Sequence, residues 1–124
     1  MSKIIISYCI KSSEQNETIK DIKGIKNDNT IIYNQDNIIV KIRVDNNKVF
    51  INRENDNLKI SLEFEKNKFL MTKYFIKDLN LELNLKTETK NLIIKDNCVL
   101  IEYDLYMNDE FSDSFMYNLE WRDL

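Results

Sequence analysis

The sequence predicts an all-β fold, an up-and-down antiparallel meander of about 8–10 strands closed into a barrel. Three observations carry that prediction. Apolar and polar residues alternate along most of the 124 residues, which is the period of a half-buried strand. Short Asn/Asp clusters interrupt the alternation at intervals suited to hairpins. No segment shows a convincing long helix, and no internal repeat stands out. A row of strands with one apolar face each leaves sticky edges while it stays open, and closure removes them.

Taken in order, Lys3–Lys11 opens with β-branched residues and reads as a strand, and Ser12–Asn16 as a loop. In Glu17–Lys26, Ile19, Ile22 and Ile25 recur every three residues, a spacing that suits a helix. The segment is short and contains Gly24, so it reads as a strand interrupted there by a bulge or a close backbone approach. Thr30–Tyr33 is a short strand, turned by Asn34–Asn37 into Ile38–Asp45. Asn46-Asn47 reads as a two-residue type I′ loop, which needs positive φ at both positions. Lys48–Arg53 returns, Glu54–Asp56 turns, and Leu58, Ile60, Leu62 and Phe64 alternate with polar residues. Lys66-Asn67 leads into Phe69–Ile76, and Leu79, Leu81, Leu83 and Leu85 alternate as one further strand. Val99, Ile101, Tyr103, Leu105 and Met107 share a face, a loop spans Asn108–Asp113, and Phe115, Tyr117, Leu119 and Trp121 share the next.

Composition bounds the chain to one domain, residues 1–124. Hydrophobic residues make up 43% and charged residues 31%, a balance that argues against disorder. With a net charge of -3 and lysines scattered among acids, there is no electrostatic footprint for nucleic acid. The chain has no Ala, Pro or His and a single Gly, while Ile, Asn and Lys abound, as adenine- and thymine-rich codons dictate. Turns that would normally use Gly must therefore use Asn or Asp, the next-best residues for positive φ.

Cys9 and Cys98 are too few for a disulfide framework or a zinc knuckle. The apolar run Ile4-Ile5-Ile6 is shorter than a signal-peptide core, and nothing approaches a membrane span. The expectation is a cytoplasmic protein with both thiols reduced and no membrane partner.

Without His, histidine-based nucleophile systems and histidine metal sites are excluded, and no Gly-rich phosphate loop is present. The carboxylate pairs Glu63/Glu65 and Glu102/Asp104 point opposite to the apolar rows, toward solvent, where nothing separates their pKa values. The expectation is a protein that is not an enzyme and uses no cofactor or metal.

On Val49-Phe50-Ile51-Asn52-Arg53, Leu81-Glu82-Leu83-Asn84-Leu85-Lys86-Thr87 and Ile101-Glu102-Tyr103-Asp104-Leu105-Tyr106, the chain resembles the YwiB-like family. These are small bacterial proteins without an established activity, and the resemblance covers the chain from Tyr33 onward. It implies a lipocalin-like (calycin) barrel.

Strand parity places Arg53 on the face of Val49 and Ile51, and Tyr103 on that of Val99 and Ile101. A guanidinium inside a small barrel must be paired or hydrated. Lipocalin-like barrels that take acidic small molecules use an Arg and a Tyr to hold a carboxylate in an apolar cavity. Arg53 and Tyr103 are thus the candidate site, with Tyr33, Tyr74 and Thr87 as contributors. The competing reading has Arg53 snorkelling to solvent from the end of its strand.

Two functional readings follow. In the first, the barrel carries or senses a small apolar or carboxylate-bearing ligand, which calls for a cavity beyond about 300 Å³ with Arg53 in its wall. In the second, a filled barrel is an interaction or self-associating module, a homodimer for instance. The outward apolar residues Ile39, Phe50, Leu70 and Leu100 would supply its surface. The aromatics Phe111, Phe115, Tyr117 and Trp121 read as plain core.

Overall fold

The computed structural model describes residues 1–124. Ten strands follow one another: β1 (Ser2–Lys11), β2 (Asn16–Asn27), β3 (Thr30–Gln35), β4 (Ile38–Val44), β5 (Lys48–Glu54), β6 (Leu58–Glu65), β7 (Phe69–Ile76), β8 (Leu81–Lys95), β9 (Cys98–Met107) and β10 (Glu110–Asp123). Each strand pairs antiparallel with the next, and β1 pairs with β10 to close the barrel. A single 3₁₀ turn, Lys77–Leu79, interrupts the meander.

The alternation read from the sequence is the alternation between barrel interior and exterior. Cross-strand partners such as Tyr33 and Val40, or Ile42 and Ile51, stand on the same inner face. Fifteen buried apolar and aromatic residues form one core, with Ile4, Ile6, Ile42, Val49, Phe64, Val99, Ile101 and Leu119 wholly inaccessible. Burying each such side chain contributes about 1.5–3 kcal/mol before the entropy of ordering it.

Nine residues have positive φ, and every one is Asn or Asp. The type I′ requirement is met at Asp36-Asn37 (φ 52° and 64°) and at Asn108-Asp109 (φ 50° and 67°), not at Asn46-Asn47. The Asn108–Asp113 loop shrinks to that two-residue turn, since Met107 already pairs with Glu110. Leu79 lies in the 3₁₀ turn with its side chain exposed, so the leucine alternation begins at Leu81.

The three-residue spacing in β2 marks a β-bulge. Ile6 pairs with Ile22 and Tyr8 with Ile19, so one extra residue sits between the two isoleucines. Asp21 carries the strain with φ 60°, and its N–H donates to Ser7 Oγ at 3.2 Å. Gly24 serves close approach instead: a Cβ there would lie 2.7 Å from Ile6 Cδ1 and 2.8 Å from the Ile32 carbonyl oxygen.

One ladder is incomplete. β6 and β7 pair only at Leu58–Ile60 and Tyr74–Ile76, and the strands part over the rest of their length. There β8 turns the small polar residues Thr87 and Thr89 inward, both buried, and Thr87 Oγ1 donates to the Glu63 carbonyl oxygen at 2.6 Å. Leu70 pairs with Thr87 and therefore faces inward, contrary to the outward placement expected for it.

On the outer wall, Ile39 is exposed, Phe50 is covered by the Arg43 guanidinium 4.1 Å above its ring, and Leu100 is half-buried. These residues make no common patch. Phe69 and Phe111, both exposed, pack their rings against Tyr106, and Met71 is exposed on the same strand as Phe69.

Candidate functional site

The barrel is neither hollow nor filled throughout. Isoleucine, valine, leucine and Phe64 pack one half, whereas the other encloses a cavity of about 260 Å³. That is slightly less than the 300 Å³ or so typical of small-ligand sites. Its walls come from eight of the ten strands: Tyr8 and Ile10 of β1, Glu17 of β2, Tyr33 of β3, Val40 of β4, Ile51 and Arg53 of β5, Leu62 of β6, Tyr103 of β9, and Phe115 and Tyr117 of β10. Gln15 joins the lining from the β1–β2 connection.

Arg53 occupies the last turn of β5's inward row. Its cross-strand partners are Val40 and Ile60, which fixes its side, and its position at the barrel's end leaves it exposed. It lines the cavity and also reaches water, so the two competing placements are not mutually exclusive. None of the eight salt bridges of the chain includes it.

Four phenols surround the cavity. Burial pushes the Tyr8 hydroxyl up to about 12, aided by the nearby Tyr33 and Glu17 and opposed by its hydrogen bond to Gln35. Burial raises Tyr33 as well, against the opposing effects of its contact with Tyr117 and the Arg53 charge. Tyr103 is raised by burial, with the Arg53 charge alone opposing. Tyr117 is raised well above the usual phenol range by burial and by Tyr33. All four remain protonated near neutral pH, so they supply hydrogen-bond donors and flat apolar walls, not a base. Tyr8 stacks on Tyr117 with ring centroids 5.8 Å apart, and Tyr103 on Phe115 at 5.3 Å.

Of the residues singled out in the sequence, Arg53, Tyr103 and Tyr33 converge on this cavity. Tyr74 faces inward beside Ile60 and Leu83 but lies outside the lining, and Thr87 is wholly buried in the β6–β8 contact. Sequence reasoning missed Tyr8, Gln15 and Glu17, and it took Phe115 and Tyr117 as plain core. The signal for Glu17 was the bulge: Glu17 pairs with the inward Ile10, and the extra residue at Asp21 then carries the inward row on to Ile22 and Gly24. Tyr8 Oη donates toward Gln35 Oε1 at 2.8 Å and Glu17 Oε1 at 3.1 Å, one proton shared between two acceptors.

The outward carboxylates have structural partners. Glu65 is clamped by Lys68 at 2.7 Å and Lys48 at 3.3 Å, which hold its pKa below the usual carboxylate range, so it is not a solvated face. Asp104 accepts from Ser114 Oγ at 2.6 Å and lies 3.5 Å from Lys90. Both cysteines are free, and no helix is long and apolar enough to cross a membrane.

A family model described as a domain of unknown function, DUF1934, matches residues 4–119. The match takes in the first quarter of the chain, beyond the stretch from Tyr33 on which the resemblance was read. The crystal structure of the ywiB protein from Bacillus subtilis is similar, with a TM-score of 0.62 at 16% identity over 98% of this chain and 90% of that one. At that identity the likeness speaks to the fold. No curated protein sequence matches the chain.

Proposed function

We propose that this chain, which belongs to the DUF1934 family, is a non-enzymatic carrier or sensor of a small ligand, an apolar body bearing a carboxylate or another weakly acidic group. One observation carries the reading: an Arg53 guanidinium without a salt-bridge partner stands in the wall of a cavity whose lining, Gln15 and Glu17 apart, is otherwise aromatic and aliphatic. A planar fork of five N–H donors is suited to a carboxylate, and the neighbouring phenols offer further donors to it. The apolar body would enter between Ile51, Leu62 and Phe115. The setting we propose is the cytoplasm, where the free Cys9 and Cys98 stay reduced.

Native mass spectrometry of gently purified protein, set against its denatured mass, tests the reading. Extra mass that leaves on denaturation, and that Arg53→Met fails to retain, is the expected result. A cargo held equally well by Arg53→Met would sink the carboxylate assignment.

A second reading, self-association, rests on the outer wall near the incomplete β6–β7 ladder. Phe69, Met71 and Lys73 alternate along a stretch of β7 without ladder partners in β6, and Phe69 and Met71 are exposed. A second copy paired antiparallel to it would set Phe69 opposite Lys73 of its neighbour. Sedimentation velocity across a hundredfold concentration range distinguishes this dimer from a monomer. Met71→Glu should abolish any dimer that forms this way.

A further inference from the structure

Two charged side chains of opposite sign line the cavity without a salt bridge between them. Among the twelve lining residues only Arg53 and Glu17 are charged, and no salt bridge joins them or ties either to another residue. Each has unmet hydrogen-bonding capacity. Glu17 receives only the Tyr8 proton, shared with Gln35, and that contact uses one oxygen of the carboxylate. Arg53 has donors without an acidic acceptor.

We propose that the ligand is a zwitterion, an α-amino acid with a large apolar or aromatic side chain. Its carboxylate would sit on Arg53, its ammonium on Glu17, and its side chain in the tyrosine-lined cavity. The electrostatics separate this from a plain acid. A bare carboxylate gains Arg53 but brings its charge into the cavity that Glu17 also lines. An amine gains Glu17 and meets Arg53. Only a molecule with both groups satisfies both ends, which makes the opposite charge at each position the device that rejects half-matching ligands. The inference rests on the binding reading above and narrows it.

The test is calorimetric titration of the intact protein with phenylalanine, tyrosine, tryptophan and leucine, and with three relatives of phenylalanine. The relatives are 3-phenylpropanoate, N-acetylphenylalanine and phenylalaninamide. At least one free amino acid should bind at least about tenfold more tightly than any of these three singly charged relatives of phenylalanine, about 1.4 kcal/mol. Glu17→Gln preserves the shape of the side chain and its contact with Tyr8, and a thermal melt checks that it stays folded. In that variant the preference for the amino acid over 3-phenylpropanoate should collapse while carboxylate binding persists or improves. If 3-phenylpropanoate binds the unaltered protein as tightly as any amino acid, the zwitterion is overturned and the carboxylate reading stands. If none of the amino acids binds, the zwitterion is likewise overturned, and native mass spectrometry then decides the parent reading by itself.

Discussion

Thr87 of β8 donates its hydroxyl to the Glu63 carbonyl oxygen of β6 at 2.6 Å, reaching past the strand that lies between them in the sheet. The bond replaces part of the ladder that β6 and β7 fail to make. A residue selected from the sequence as a ligand contact is thus a structural strut.

The threonine two residues on gives the contrast that tests this. Thr89 Oγ1 is buried without a partner, whereas Thr87 Oγ1 is bonded. Thr87→Val should lower stability by about 1–2 kcal/mol, since it strands a carbonyl. Thr89→Val removes an unsatisfied hydroxyl and should leave stability unchanged or raise it. Urea unfolding midpoints of the two variants decide the matter, and equal losses would contradict it.

Gly24 is the tightest position in the β1–β2–β3 corner. An added Cβ meets a backbone oxygen at 2.8 Å, which cannot swing aside as a side chain can. Gly24→Ala is expected to cost about 1–3 kcal/mol through overpacking. Chemical denaturation measures it, and a neutral result would mean that β2 and β3 can separate without loss.

The turn assignments differ at two chemically similar sites. Asn37 has φ 64°, a conformation Ala adopts only at a penalty of about 1–2 kcal/mol, so Asn37→Ala should destabilise the fold by roughly 1 kcal/mol. Asn47 does not have positive φ, and Asn47→Ala should stay within about 0.5 kcal/mol of the parent. Thermal melts of the pair separate the two geometries.

The four buried phenols make the fold sensitive to alkali. Their folded pKa values exceed the value of about 10 of an unfolded tyrosine. The unfolded chain then releases protons that the folded one keeps. Stability is intact below pH 10 and falls as pH rises above it, for Tyr8 until about 12, by up to about 1.4 kcal/mol per pH unit for each phenol. Tyrosinate absorbance and circular dichroism followed together should show much of the phenol signal arriving with unfolding. Arg53→Met removes a charge that lowers Tyr33, Tyr103 and Tyr117, so it should push their titration further into alkali. No movement would place Arg53 away from the cavity.

Side-chain parity made most of this legible in the sequence. Val40, Ile42, Val49, Ile51, Arg53 and Tyr103 stand where period-two alternation put them, because a strand offers only two faces. Glu17 escaped because its facing depends on a one-residue bulge, and a spacing of three isoleucines reads equally as a helix. Asp36-Asn37 and Asn46-Asn47 carry the same turn chemistry, and the geometry of the flanking strands chose between them. The inward threonines depend on where β6 leaves β7, a tertiary event without a local signal. The half-empty interior was hidden for a simpler reason: Tyr, Ile and Leu line a cavity as readily as they fill one.

Closure of the barrel through β1 and β10 also sets the order in which the chain can finish folding. The seam joins residues from opposite ends of the sequence, Ile4 to Asp123 and Ile6 to Trp121. Of the ten strands, β1 emerges first during synthesis and its second neighbour, β10, last. Until then β1 and the most recent strand are both bare edges, and the buried run Ile4–Ile6 has nothing on that side. Every other pairing is between consecutive strands and can form early as hairpins. The final step closes a loop of nearly the whole chain, which puts folding in the slow range of all-β topologies, milliseconds to seconds, and makes the unsealed meander the species most exposed to aggregation.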